Sequence, residues 1–127
     1  MTYYTDLSPY EYDEREAPGM VNVGWLDPSH EFERGHIPDA LSQKLLRLCA
    51  APVNRMRGLH VCPFCFRPTM GVEVVESDVK VLLGGAEIRL VGEGRTYAAP
   101  DLIYHYVKEH QYRPPDDFLH ALDQMTE

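Results

Sequence analysis

The sequence contains no hydrophobic stretch long enough to cross a membrane, and it is poor in basic residues. A membrane-spanning helix needs roughly 20 apolar residues in a row, so an integral membrane protein is excluded. The first six residues, MTYYTD, lack the basic start and apolar core of a secretory signal, and we therefore expect a cytoplasmic protein. Only 12 Lys and Arg stand against 20 Asp and Glu, which gives a formal net charge of −8. So acidic a chain is a poor general binder of nucleic acids or anionic membranes.

The length and the composition predict a single globular domain over residues 1–127. Hydrophobic residues make up 44% and charged residues 25% of the chain, which is typical of globular proteins. Residues 1–19 are irregular and acidic, and proline interrupts them twice. This arm holds four of the eight tyrosines, which are Tyr3, Tyr4, Tyr10 and Tyr12. Because a free tail rarely carries so many aromatic residues, we expect the arm to pack on the domain.

The charge is distributed unevenly along the chain. Residues 1–33 carry eight acids and one base, whereas residues 34–70 carry six bases and one acid, and residues 71–127 are acidic again. Since separated stretches interleave on folding, we expect most of these bases to meet acids of the flanking segments. The alternative is a local basic surface in the segment 34–67, for which the candidates are Arg47, Arg55, Arg57 and Arg67.

Hydrophobic periodicity predicts an α+β fold with about three helices. A short strand is expected over residues 20–26, and a helical stripe of leucines follows Pro38 and stops at Pro52. Short β-type runs between residues 72 and 98, separated by turn residues, predict an antiparallel meander of three to four strands. Two further helices are expected, one from Pro100 to His110 and one after Pro114.

The three cysteines argue against a disulfide framework, because their number is odd and no secretory signal precedes them. Cys49 lies within the leucine-rich helix and is expected to be a small buried residue. Cys62 and Cys65 bracket two residues, which is the spacing of a zinc knuckle.

A histidine pair completes this pattern on the last turns of a predicted helix. His105-x4-His110 follows Cys62-x2-Cys65 in the order of a Cys2His2 zinc site, with the whole meander between the two halves. Four such ligands leave no open position, so we predict a structural zinc ion. His60 is the rival ligand, but its position so near Cys62 would strain a tetrahedron, which favours an indirect or exposed role.

Five segments together resemble an uncharacterised family of small bacterial proteins. They are NVGWL (22–26), RGLHVCPFC (57–65), GGAEIR (84–89), YAAPDLIYHYV (97–107) and YRPP (112–115). The resemblance spans nearly the whole chain and implies a bacterial, single-domain protein with no assigned activity. It supports the domain boundaries, and it supplies neither a function nor the metal ligands.

The preferred interpretation is a non-enzymatic zinc protein whose surface binds another macromolecule, in the first place a protein. The zinc ion would fix the knuckle to the helix that carries the histidine pair. The first alternative is a nucleic-acid-binding zinc module that uses the basic segment 34–67. The second is a zinc-dependent hydrolase, which needs an open coordination position and a nearby carboxylate such as that of Glu109. The sequence has no His-Glu-x-x-His motif, and it does not indicate an oligomeric state.

Overall fold

Eight elements follow one another in the computed structural model, which describes residues 2–10, 19–55, 58–66, 69–76 and 78–125. The strands are β1 (Met20–Asn22), β2 (Val72–Glu76), β3 (Val79–Leu83), β4 (Glu87–Gly92) and β5 (Arg95–Pro100), and the helices are α1 (Asp39–Cys49), α2 (Ile103–His110) and α3 (Asp116–Gln124). These elements confirm the predicted α+β fold class. Within the described residues, no helix is both long and apolar enough to span a bilayer.

The strands form two separate sheets. A three-stranded sheet has the order β1-β5-β4, in which β1 runs parallel and β4 antiparallel to β5. β2 and β3 form an antiparallel hairpin of their own, with Val74 opposite Val81 at its centre. Three to four strands were predicted between residues 72 and 98. The structure has four strands there, β2 to β5, and they form two hairpins instead of one continuous meander.

The two hairpins separate at the turn formed by Gly84, Gly85 and Ala86. Gly84 has a φ of 117°, and a Cβ atom there would lie 2.8 Å from the carbonyl oxygen of His60. Its N–H donates to the carboxylate of Asp101 at 2.8 Å, although that side chain is only 2% exposed. Burial raises the pKa of Asp101, while the N–H groups of the turn lower it. The turn therefore lies between the backbone of His60 and the carboxylate of Asp101. Because these contacts hold the turn in place, β4 leaves β3 and pairs with β5.

Helix α1 packs its leucine stripe into the core and uses part of its polar face as well. Of the predicted stripe, Leu45 and Cys49 are buried and Leu41 and Leu48 are half-buried. Leu46, outside that stripe, is buried as well, and α1 contacts both α2 and α3. Lys44 lies outside the leucine stripe, and its Nζ donates to the carbonyl oxygens of Asp123 at 2.7 Å and Met125 at 2.8 Å. It therefore satisfies carbonyl groups at the C-terminal end of α3.

The described part of the N-terminal arm, residues 2–10, lies beside β1. Pro9 forms an antiparallel bridge with Val21, and the carboxylate of Asp6 accepts hydrogen bonds from the N–H of Gly24 at 2.9 Å and the hydroxyl of Tyr112 at 2.7 Å. The strand predicted over 20–26 ends at 22, because Gly24 turns the chain with a φ of 82°. Tyr12, with the rest of residues 11–18, lies outside the described residues.

Candidate metal centre

Two sulfur and two nitrogen atoms meet where residues 58–66 approach the end of α2. The ligand atoms of Cys62, Cys65, His105 and His110 all lie within 4.8 Å of one another. The Sγ of Cys65 is 3.2 Å from Nε2 of His105 and 3.6 Å from Nε2 of His110, and the Sγ of Cys62 is 3.4 Å from Nε2 of His110. A tetrahedral zinc ion with bonds of about 2.3 Å to sulfur and about 2.05 Å to nitrogen separates each sulfur–nitrogen pair by about 3.6 Å. The cluster is therefore compatible with a zinc-finger-like site.

The two cysteines lie on a tight turn that directs both sulfurs to the same side. The N–H of Cys65 donates to the carbonyl oxygen of Cys62 at 3.5 Å, and the sulfur of Cys62 accepts from the N–H groups of Phe64 and Cys65. Cys62 is 1% exposed and belongs to the core, whereas Cys65 is half-buried. The knuckle thus places one sulfur inside the core and the other at its surface.

The two histidines converge because His110 is the last residue of α2. Five residues advance about 140° on an ideal helix, which would separate the side chains of residues 105 and 110. The helix ends here with Gln111 in the left-handed conformation, at a φ of 57°, and the two imidazole centroids lie 5.1 Å apart. The Nη1 of Arg34 also donates to the carbonyl oxygen of His110 at 3.1 Å. The helix end therefore brings together two rings that a longer regular helix would hold apart.

Burial shifts the pKa values of Cys62, His105 and His110 in the metal-free protein. It raises the pKa of the Cys62 thiol to about 11, although the two N–H groups that reach this sulfur act in the opposite direction. Burial also lowers the pKa values of His105 and His110, so both imidazoles are neutral near pH 7. Neutral imidazole is the form that binds metals, whereas a thiol must first lose its proton. Metal binding by this cluster therefore has to release protons.

Aromatic rings cover one side of the cluster. The ring of Phe64, between the two cysteines, lies 5.5 Å from His110 and packs edge-on against Phe32 and Tyr106 at 5.4 and 5.7 Å between centroids. The guanidinium of Arg34 lies 4.4 Å above the ring of Phe32. These contacts could not be predicted from local motifs, because Phe32 and Arg34 are distant in the chain from both halves of the cluster.

The other predicted site residues lie elsewhere. His60 is outside the four-residue group, and its backbone instead joins the 58–66 segment to Gly84 and Gly71. Arg47 is exposed in the last turn of α1, and Arg55 is exposed beside Ala86, to which it forms an isolated bridge. Arg57 and Arg67 are outside the described residues. Cys49 is 1% exposed and its thiol donates to the carbonyl oxygen of Asp101, which agrees with its predicted place in the core.

Residues 2–123 match the profile of a family described as a domain of unknown function (DUF7919). No curated protein and no solved structure matches the chain.

Proposed function

The chain belongs to this family of unknown function, and we propose that it is a non-enzymatic zinc protein in which a Cys2His2 ion shapes a surface for binding another protein. The observation that carries the proposal is the set of sulfur–nitrogen distances, 3.2 to 3.6 Å, which surround a space of the size that a tetrahedral ion fills. Two thiolates and two imidazoles are the donors that zinc prefers.

Four protein ligands favour a structural role for the zinc ion over a catalytic one. A catalytic zinc ion keeps one position for water or substrate, and here Cys62, Cys65, His105 and His110 would occupy all four. The bound ion would link the 58–66 segment to α2, two parts of the chain that strands β2 to β5 separate in sequence. It would therefore fix the position of a surface segment, which suits a module for binding proteins.

Metal analysis of the purified protein tests the proposal. Protein prepared without chelator should contain about one zinc ion per chain, and cobalt(II) in its place should give the strong visible absorption of a tetrahedral site with thiolate ligands. Cys65→Ser should abolish both signals. Cys49→Ser is the matched control, because it removes a thiol that lies outside the cluster and should leave both signals unchanged. A metal-free preparation that takes up neither ion would refute the zinc site, and a cobalt spectrum of five or six ligands would favour a hydrolase.

A further inference from the structure

A groove of about 530 Å³ runs between strand β2 and helix α2, beside the metal centre. Every residue of β2, from 72 to 76, lines one wall. Tyr104, Lys108 and Glu109 of α2 line the other wall, and the two walls are joined where the hydroxyl of Tyr104 donates to the carboxylate of Glu76. The groove is thus an open channel between a strand and a helix.

The wall formed by β2 is an unpaired sheet edge. β2 pairs with β3 on one side, and within the described residues no strand pairs with it on the other. Alternate residues of an antiparallel edge strand turn their N–H and C=O groups away from the partner strand. An extended segment can therefore bind here as a third strand, with its side chains alternating between the groove and the solvent.

The side chains around this edge are apolar and acidic. Val72 and Val74 are half-buried, while Val75 is 65% exposed and Phe66, at the end near the metal centre, is 94% exposed. The charged residues that line the groove are three acids and one base, namely Glu73, Glu76, Glu109 and Lys108. The groove therefore favours an extended segment that carries basic and apolar side chains in alternation.

The same charges disfavour a second copy of this chain as the occupant. Two β2 strands paired edge to edge would bring Glu73 and Glu76 of both copies together, and like charges on neighbouring strands destabilise a sheet. The net charge of −8 adds to this repulsion. A basic partner is attracted both by the glutamates of β2 and by the negative net charge of the chain.

We propose that this groove binds an extended, basic segment of a partner protein, of about the five-residue length of β2, by adding it to the β2 edge. The inference rests on the proposed function, because Cys65, His105 and His110 also line the groove, and the metal they bind would hold Phe64 and Phe66 at its end. The charge of Glu109 and Glu73 selects the partner, and a basic side chain competes for Glu73 with Lys80, whose Nζ lies 3.7 Å from Oε2 of Glu73 in an exposed ion pair. The strand edge supplies the backbone hydrogen bonds.

Synthetic peptides and the zinc-loaded full chain test this proposal. The probes are a capped Lys-Val-Lys-Val-Lys peptide, its Glu-Val-Glu-Val-Glu counterpart and a Lys-Pro-Lys-Pro-Lys version that lacks two backbone N–H groups. Nuclear magnetic resonance should show that the first peptide shifts the amide signals of residues 72–76. The other two should bind at least about tenfold more weakly, since one reverses the charge and the other removes ladder hydrogen bonds.

Charge-reversal variants of the protein distinguish binding at this groove from attraction to the net negative charge of the chain. Glu73→Lys and Glu109→Lys should each weaken binding of the basic peptide about tenfold. Glu93→Lys makes the same change of charge on the exposed turn between β4 and β5, and it should leave the affinity unchanged. Equal losses in all three variants would overturn the proposal, because attraction would then depend only on net charge.

Two further results would refute peptide binding at this groove and would leave the proposed zinc site unaffected. One is zinc-loaded protein that binds none of the peptides at about 1 mM. The other is a stable dimer in solution whose contact is the β2 edge. Protein that takes up no zinc would instead refute the proposed function, and zinc content is measured on the same samples.

Discussion

Loss of the proposed zinc ion should lower the melting temperature by an amount that linkage predicts. A ligand that binds only the folded state stabilises it by about 4.1 kcal/mol when its free concentration is 1,000 times its dissociation constant. Unfolding entropy is about 2.1 cal/mol/K per residue, which gives about 0.27 kcal/mol/K for a chain of 127 residues. Free zinc at that level should therefore raise the melting temperature by about 15 °C over that of chelated protein.

A matched pair of variants distinguishes the stabilisation by zinc from the effect of replacing a buried thiol. Cys62 and Cys49 are each 1% exposed, so Cys62→Ser and Cys49→Ser place the same hydroxyl in equally buried positions. Both should lose about 1 to 3 kcal/mol through burial of the hydroxyl, but only Cys62→Ser should also lose its response to zinc.

Calorimetry in buffered zinc and in chelator, on the wild type and both variants, measures the effect. Equal melting temperatures of the wild-type protein in zinc and in chelator would refute the reasoning. So would a zinc response in Cys62→Ser as large as that of Cys49→Ser.

Three further predictions concern the fold around the site. Gly24→Ala should destabilise the protein by about 2 to 4 kcal/mol, because its φ is 82° and its Cβ would lie 2.8 Å from the side chain of Ile103. Gly94→Ala, at a φ of 79° with open space around it, should lose only about 1 kcal/mol in the same urea titration. Burial raises the pKa of Asp6 above 3.8, so its contribution to stability is full below 3.8 and is lost as the pH rises through the folded-state value. Urea titrations at increasing pH should therefore show the wild type losing stability relative to Asp6→Asn, and the opposite trend would contradict the burial argument. Lys44→Met should cost about 1 kcal/mol and loosen the end of α3, measured by hydrogen exchange, since it removes two hydrogen bonds to carbonyl groups.

The sequence allowed prediction of the elements that depend on local pattern. Helices α1 and α3 begin directly after a proline, and all three helices carry apolar stripes. Helix α2 was predicted from Pro100 but begins at Ile103, because Pro100 is the last residue of β5. The four strands after residue 71 follow alternation and turn residues. The four residues of the Cys/His cluster were also predictable as a set, because each half is a local motif and the order of the halves matches a known kind of site. The short distances among the four side chains depend on packing, and only the structure shows them.

Strand pairing could not be predicted in the same way. The parallel contact of β1 with β5 joins Met20 to Thr96, and no local pattern specifies such a distant partner. The break between β3 and β4 depends on Asp101, although an acidic residue directly after a proline is typical of a helix start. Its carboxylate is buried instead against the N–H of Gly84, and α2 begins two residues later at Ile103. A buried carboxylate that binds a turn is not visible in sequence periodicity.

Two basic residues of the segment 34–67 make contacts within the domain. Arg34 stacks on Phe32 and binds the carbonyl oxygen of His110, and Lys44 binds the end of α3, so both have roles inside the domain. Of the four arginines considered for a nucleic-acid surface, the structure describes Arg47 and Arg55, both exposed. Two phosphate contacts would give a logarithmic salt dependence of binding of only about −1.8. A gel-shift titration with a much steeper slope would therefore require further bases, and Arg57 and Arg67 are the first to substitute with alanine.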